Sequence, residues 1–97
     1  MMQMDAAFAS DRAPSLMATM AKHFGHKIEV EETDTGAILH FEMGNATLGC
    51  DDKVLHLSLE APDEDRLETL RQVVESHLMR FAHRENPRAL DWNPVSG

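Results

Sequence analysis

Histidine is the residue type in this sequence whose spacing could support chemistry. The chain has six histidines in 97 residues, and His23 and His26 are separated only by Phe24-Gly25. His77 lies in a later segment whose apolar residues recur at helical spacing. Imidazole binds divalent metals and haem iron, so these three histidines are our candidate cofactor-binding residues. Haem and a divalent metal are both candidate ligands, and the sequence does not choose between them.

Each of these histidines also has a purely structural interpretation, which is the commoner one. The first pair would need two further ligands to hold zinc, and no Cys-x-x-Cys or His-Glu-x-x-His pattern accompanies it. His77 would otherwise be a histidine at the edge of the core, hydrogen-bonded to a carbonyl group.

His40 and His56 are expected to flank Gly49 on the open face of a sheet. That face is either a solvated polar surface or a metal-loading patch.

The sequence lacks other patterns that indicate catalysis. It has no Ser-His-Asp spacing, no glycine-rich phosphate loop and no pair of catalytic carboxylates. Cys50, the single cysteine, is predicted to point inward, where a thiol is unreactive. A non-enzymatic domain is therefore favoured over a small hydrolase or isomerase.

The charge balance limits the classes of partner. The formal net charge is −8, from 17 Asp and Glu against 9 Lys and Arg. Nucleic acids and anionic membrane surfaces are bound mainly through basic residues, so neither is expected as a partner. A single cysteine favours a reducing compartment, and no signal peptide or membrane span is apparent. We expect one cytoplasmic domain over residues 1–97, with a core from about 4 to 92.

The segment from Pro62 to Arg84 is predicted to form the helix that carries His77. Pro62 suits a first turn, and three acidic residues follow it where the helix dipole favours negative charge. The apolar stripe of this helix is wide enough to cover a sheet. Its members are Leu67, Leu70, Val74, His77, Leu78 and Phe81.

An earlier helix is predicted to carry His23. It begins after Ser10-Asp11, whose side-chain oxygens can cap it, and ends at Gly25 in the left-handed conformation. Both helices must cover the same face of the sheet, so His23 is expected to approach His77 between them. The helix C-terminus should favour protonated His23. Ligand binding should then weaken as the pH falls. The pH at which binding is lost should be roughly 6.5 or higher.

Alternation with a period of two predicts the strands. Met4 to Ser10 is predicted as an edge strand, and a meander of four strands follows the first helix. Gly44-Asn45 favours a type II′ hairpin turn, which would pair Phe41 with Leu48. A second tight turn, at Asp52-Lys53, would place Gly49 opposite His56. A last short strand is predicted around Leu90 and Trp92.

The predicted element order is therefore β-α-β-β-β-β-α-β. Two one-sided helices can cover only one face of a sheet built from these strands. We predict an α+β fold, a two-layer sandwich of a mainly antiparallel sheet with both helices on one face.

Four sequence runs resemble a known bacterial family. They are Ser10-Asp11-Arg12-Ala13-Pro14, His23-Phe24-Gly25-His26-Lys27, His77-Leu78-Met79-Arg80-Phe81 and Leu90-Asp91-Trp92. In this order and spacing the chain is similar to the domain-of-unknown-function family 2218. The resemblance implies no catalytic residues, because the family has no established activity.

The resemblance also implies a biological context. Similar domains occur alone and fused to the N-terminus of siderophore-interacting flavin reductases. We therefore expect an accessory or binding module of iron, siderophore or haem metabolism, with such a reductase as a candidate partner. The alternative is a structural domain that acts as a homodimer without any ligand. Such a dimer would assemble through an exposed sheet edge or the Met79 side of the long helix.

Overall fold

The protein has two layers, a six-stranded antiparallel sheet and two helices that cover one of its faces. The computed structural model describes residues 2–85, 87 and 90–95. In chain order the elements are β1 (Met2–Ala9), α1 (Ala13–Gly25), β2 (Glu29–Thr33), β3 (Gly36–His40), β4 (Asn45–Cys50), β5 (Val54–Ala61), α2 (Glu64–Phe81) and β6 (Asn93–Val95), with a 3-10 turn at His83–Glu85. The predicted α+β class and element order are confirmed.

Helix α2 is stabilised at its start by a side-chain cap. Asp63 is the N-cap, and its Oδ1 accepts a hydrogen bond of 2.8 Å from the backbone N–H of Arg66. Glu64 and Asp65 then bring negative charge to the first turn. The buried face consists of Leu67, Leu70, Val74 and Leu78. This face packs mainly against β5 and α1.

Helix α1 begins after a turn made by Ser10, whose Oγ accepts a 3.0 Å hydrogen bond from the N–H of Arg12. Its apolar face is buried and consists of Ala13, Leu16, Met20 and Phe24, with Met17 at the margin. The predicted ending is wrong in its geometry. Gly25 is the last helical residue, and His26 follows it with right-handed backbone angles (φ −79°, ψ −12°). The chain therefore leaves α1 without a left-handed glycine.

The strand order is β2-β3-β4-β5-β1-β6. Strand β1 was expected at an edge but lies between β5 and β6. Pairing with β5 places Ala6 opposite Leu57 and Phe8 opposite Leu55, which buries its apolar residues. The last strand lies later in the chain than expected, at Asn93–Val95, and its Pro94 is tolerated because β6 is an edge strand.

One of the two predicted hairpin registers is confirmed and the other is wrong. The β4–β5 turn places Gly49 opposite His56, as predicted. In the β3–β4 hairpin, the N–H of Phe41 bonds to the carbonyl of Gly44 at 2.9 Å, so the loop residues are 42 and 43. Leu48 consequently pairs with Ala37, four residues before Phe41. Because this shift is even, the inward-facing residues are unchanged.

The misassigned turn has a long-range cause. A Cβ atom at Gly44 would lie 2.3 Å from the carbonyl oxygen of Glu60 on β5. Glycine is thus required at this position by the close approach of a neighbouring strand, not by a positive φ angle in a turn. In the described part of the chain, neither helix is both long enough and apolar enough to cross a membrane.

Candidate functional site

Two histidines from different helices meet at one end of the helix layer. His23 lies in the last turn of α1, and His77 lies near the end of α2. Their ring centroids are 5.1 Å apart, with the ring planes inclined by 47°. The apolar stripes of the two helices predicted this approach, because both stripes face the same side of the sheet.

Three phenylalanines complete a group of five rings, which we call the helix-end cluster: His23, Phe24, Phe41, His77 and Phe81. The Phe24 ring lies 4.8 Å from His77 and 5.0 Å from Phe41, in tilted and edge-to-face arrangements. Phe81 lies 5.4 Å from His23, also edge to face. These separations are those of favourable aromatic pairs. The cluster therefore holds both imidazoles in defined orientations.

The hydrogen bond of His77 fixes its tautomer. Its Nδ1 lies 2.6 Å from the carbonyl oxygen of Val73, one turn earlier in α2. A carbonyl oxygen only accepts hydrogen bonds, so Nδ1 carries the proton and donates it. In the neutral ring the lone pair is then on Nε2. This is the arrangement in which a histidine binds a metal through Nε2 while its other nitrogen is anchored.

The surroundings of His23 favour its neutral form. Burial lowers its pKa from the ordinary 6.5, and the positive charges of His77, Lys27, Arg80 and His26 lower it further. The sequence-based expectation was the opposite, because the C-terminus of α1 was expected to favour protonation. Desolvation and neighbouring cations outweigh the helix dipole at this position. The Nε2 atom of His23 is shielded from solvent and has no hydrogen-bond partner among the described residues.

The third candidate, His26, is not part of the ring cluster. It is exposed at the C-cap of α1, and its effect on His23 is electrostatic. Among the residues that the structure describes, no group of three or more His, Cys, Asp or Glu side chains is arranged to hold a metal ion. The cluster thus offers a pair of imidazoles next to positive charge. That charge disfavours a bare cation and favours an anionic ligand.

The histidines of the open sheet face are separated from each other. His40 lies opposite Asn45, and its ring nitrogens are 3.2 Å from that side chain and 3.3 Å from Glu31. His56 lies opposite Gly49 and 3.7 Å from a carboxylate oxygen of Asp51. The predicted pair of imidazoles around Gly49 does not form, because it depended on the incorrect hairpin register.

The sequence pattern predicts the phenylalanines of the cluster only as core residues. Two of them lie close to a candidate histidine in the sequence. Phe24 directly follows His23, and Phe81 lies one helical turn after His77. This spacing was the available signal for an aromatic site. Phe41 gave no such signal, because its contact with Phe24 depends on how β3 and α1 pack.

Comparisons with known proteins give the family and support the fold. A family model described as "Uncharacterized protein conserved in bacteria (DUF2218)" matches residues 5–93. The NMR structure of PA4090 from Pseudomonas aeruginosa is similar, with a TM-score of 0.77 and 29% sequence identity. That match covers 98% of this chain and 96% of the other. No curated protein matches the sequence.

Proposed function

The chain belongs to the uncharacterised bacterial family DUF2218, and from this premise we propose that it is a small non-enzymatic binding module with its ligand at the helix-end cluster. The observation that carries the proposal is the state of His77. Its Nδ1 is anchored to the carbonyl of Val73, which leaves Nε2 as the ligating atom beside three aromatic rings. A structural histidine would make the same carbonyl bond, but it does not require the neighbouring His23, whose buried Nε2 has no partner among the described residues.

Haem fits this site better than a bare divalent metal. Lys27 and Arg80 bring positive charge close enough to lower the pKa of His23, which disfavours a free cation. The same two side chains would suit the carboxylates of a haem. Iron carried in a porphyrin also needs only one or two protein ligands.

The separation of the two imidazoles limits the mode of binding. Rings on opposite faces of one haem would have centroids about 6.4 Å apart, given metal–nitrogen bonds of about 2.1 Å. The centroids of His23 and His77 are 5.1 Å apart. We therefore propose that His77 alone would hold the iron of a haem. His23, whose Nε2 lacks a partner, would be a hydrogen-bonding neighbour of the bound ligand.

The biological setting of this proposal is iron acquisition. The module would work in the cytoplasm, beside a siderophore-interacting flavin reductase, and deliver or sense an iron-containing ligand. The support for the partner is the family resemblance. The support for the compartment is the single free cysteine, Cys50, which is typical of proteins from reducing surroundings.

Haem titration followed by absorbance tests the proposal. The parent should show a saturable 1:1 change in the Soret band, and His77→Gln should abolish it. His56→Gln is the matched control, because it makes the same change on the opposite face of the sheet, and it should bind as the parent does. Equal binding by the parent and His77→Gln would rule out this site. Stabilisation by Zn²⁺, lost in both His23→Gln and His77→Gln, would identify a metal site instead.

The competing function is a homodimer without ligand, assembled through a sheet edge. Both edges of the described sheet oppose such pairing. Strand β2 carries Glu29, Glu31 and Glu32, and β6 is short and contains Pro94. Met79, the other candidate contact, is partly buried against the core. Light scattering during the haem titration distinguishes the two functions, since a dimer indifferent to haem and metals would support the competing one.

A further inference from the structure

A hollow of about 310 Å³ opens on the sheet face that the helices leave uncovered. We call it the open-face hollow. Its polar lining comes from four strands or turns and consists of Asp5, Thr35, Thr47, His56 and Ser58 around Gly49. Strand pairing explains why these residues meet, because Ser58 lies opposite both Thr47 and Asp5, and His56 lies opposite Gly49.

Gly49 lines the hollow, and its neighbour on the adjacent strand is also a glycine. Gly36 of β3 lies opposite Gly49 of β4. At Gly36 a Cβ atom would lie 1.8 Å from the carbonyl oxygen of Leu48, so no larger residue fits there. At Gly49 the nearest atom to an added Cβ would be the carbonyl oxygen of Thr35, at 3.5 Å. The space above Gly49 is therefore open, and the surrounding backbone would allow a larger side chain at this position.

Asp5 lines this hollow with an unsatisfied charge-bearing group. Its Oδ1 is shielded from solvent and has no hydrogen-bond partner among the described residues. Leaving a carboxylate oxygen buried and unpaired costs stability, so such groups usually have a partner. The nearby Ser58 hydroxyl already accepts a 3.3 Å hydrogen bond from Gln3. Asp5 is only partly buried as a whole, so the other oxygen of its carboxylate can accept a hydrogen bond from a donor in the hollow.

The lining determines the class of ligand that would supply this donor. Among the residues that the structure describes, no lysine or arginine lines the hollow. Glu31 on the same face and Asp51 beside His56 add negative charge around it. An anion would be repelled, whereas a charged N–H donor would be attracted and would pair with Asp5. The hydroxyls of Thr47 and Ser58 can accept its remaining hydrogens.

We propose that the open-face hollow binds a small organic cation through an ammonium or guanidinium group paired with Asp5. This site is separate from the helix-end cluster, on the opposite face of the sheet, and does not depend on the function proposed there. The volume of about 310 Å³ suits a compact molecule and not a polymer.

The test uses three simple probes and amide chemical shifts in 0.15 M NaCl. Butylammonium and butylguanidinium carry the two cationic groups, and 1-butanol is the uncharged analogue. At least one of the two cations should change the amide chemical shifts of Asp5, Gly49, His56 and Ser58 in a saturable way, and 1-butanol should not. An absence of saturable shifts with both cations, or equal shifts with 1-butanol, would overturn the proposal.

Variants identify the group that binds. Asp5→Asn removes the charge-assisted hydrogen bond and should weaken cation binding by about 10- to 100-fold. The same variant should unfold at an equal or higher temperature without ligand, because it removes a partly buried carboxylate that has no partner among the described residues. Glu31→Gln is the matched control, since it removes one charge from the same face outside the hollow, and binding should change by less than about twofold.

A third variant keeps the proposal testable if Asp5→Asn alters the fold. Gly49→Val should fill the hollow from its floor and abolish binding, while β-branched side chains are well tolerated in strands. The assignment would be overturned if either variant, Asp5→Asn or Gly49→Val, is folded and binds the cation as tightly as the parent does.

Discussion

Gly36 and Gly49 face each other across β3 and β4, yet an added methyl group would meet different surroundings at the two positions. At Gly36 the obstacle is the backbone of β4, which cannot move without breaking strand pairing. At Gly49 the added atom would make only an ordinary contact. Packing therefore requires a glycine at position 36, whereas the glycine at position 49 leaves space for a ligand.

This difference predicts opposite effects of the same substitution. Gly36→Ala should lower the free energy of unfolding by more than about 2 kcal/mol, because backbone atoms must shift. Gly49→Ala should leave it unchanged or raise it by up to about 1 kcal/mol, because alanine loses less backbone entropy on folding. Urea unfolding of the two variants and the parent measures both effects. Similar losses in both variants would contradict the strand register of this hairpin.

Gly44 shows why part of the sheet register could not be predicted from sequence. Gly-Asn is a strong local signal for a hairpin turn, and the sequence offers no sign that Glu60 lies beside Gly44. The requirement for glycine comes from a strand that is 16 residues away in sequence. The faces of β3 and β4 were still predicted correctly, because an even shift preserves the alternation of side chains.

At the scale of elements, α2 carries a network of ion pairs along its solvent-facing side. Arg71 donates hydrogen bonds to both Glu68 and Glu75, and Glu75 accepts a 2.7 Å hydrogen bond from the N–H of Leu90. The network thus connects the helix to the segment that leads into β6. Hydrogen bonding to Arg71 lowers the pKa of Glu68 from 4.5 to about 2.

The lowered pKa of Glu68 predicts the pH dependence of stability in acid. The folded state favours the ionised carboxylate, so this contribution is complete above pH 4.5 and is lost as the pH falls towards about 2. Glu68→Gln should therefore flatten the decline of unfolding free energy over this range. In a carbon-detected NMR titration, Arg71→Gln should return the pKa of Glu68 towards 4.5. An unchanged titration curve would show that Arg71 does not cause the shift.

The elements differed in how well they could be predicted. Both helices, and the approach of His23 to His77, follow from local apolar periodicity. The open-face hollow could not be predicted, because β1 was expected at an edge and Asp5 therefore had no predicted neighbour. Ser58, which lies opposite Asp5 in the sheet, is 53 residues away in the chain. Pairings over such distances leave no local pattern in the sequence.

At the scale of the whole molecule, the net charge of −8 is unevenly distributed. Cationic side chains gather near the ends of α1 and α2, whereas the exposed edge strand β2 is acidic. Negative charge on an edge strand opposes pairing with a second copy of the same strand. The edge is thus protected against self-association while the basic end of the helix layer stays accessible.

Removing this protection should change the oligomeric state. We expect the parent to scatter light as a 10.9 kDa monomer in 0.15 M salt. Replacing Glu29, Glu31 and Glu32 together with threonine should produce a mass that rises with protein concentration. The control replaces three exposed turn residues with asparagine, Asp11, Asp34 and Asp52, and should remain monomeric. A dimeric parent would instead support the competing function.

The central position of β1 has a consequence for how the chain folds during synthesis. Its pairing partner, β5, ends at Ala61, so β1 leaves the ribosome long before it can enter the sheet. At about 5–20 residues per second, this delay lasts several seconds. During this delay only β2, β3 and β4 can pair through local contacts, and we expect β1 to join by closing a long loop once β5 has emerged. Until then Phe8 and its apolar neighbours have no partner strand, so we expect the first strand to be open to chaperones and to misassembly.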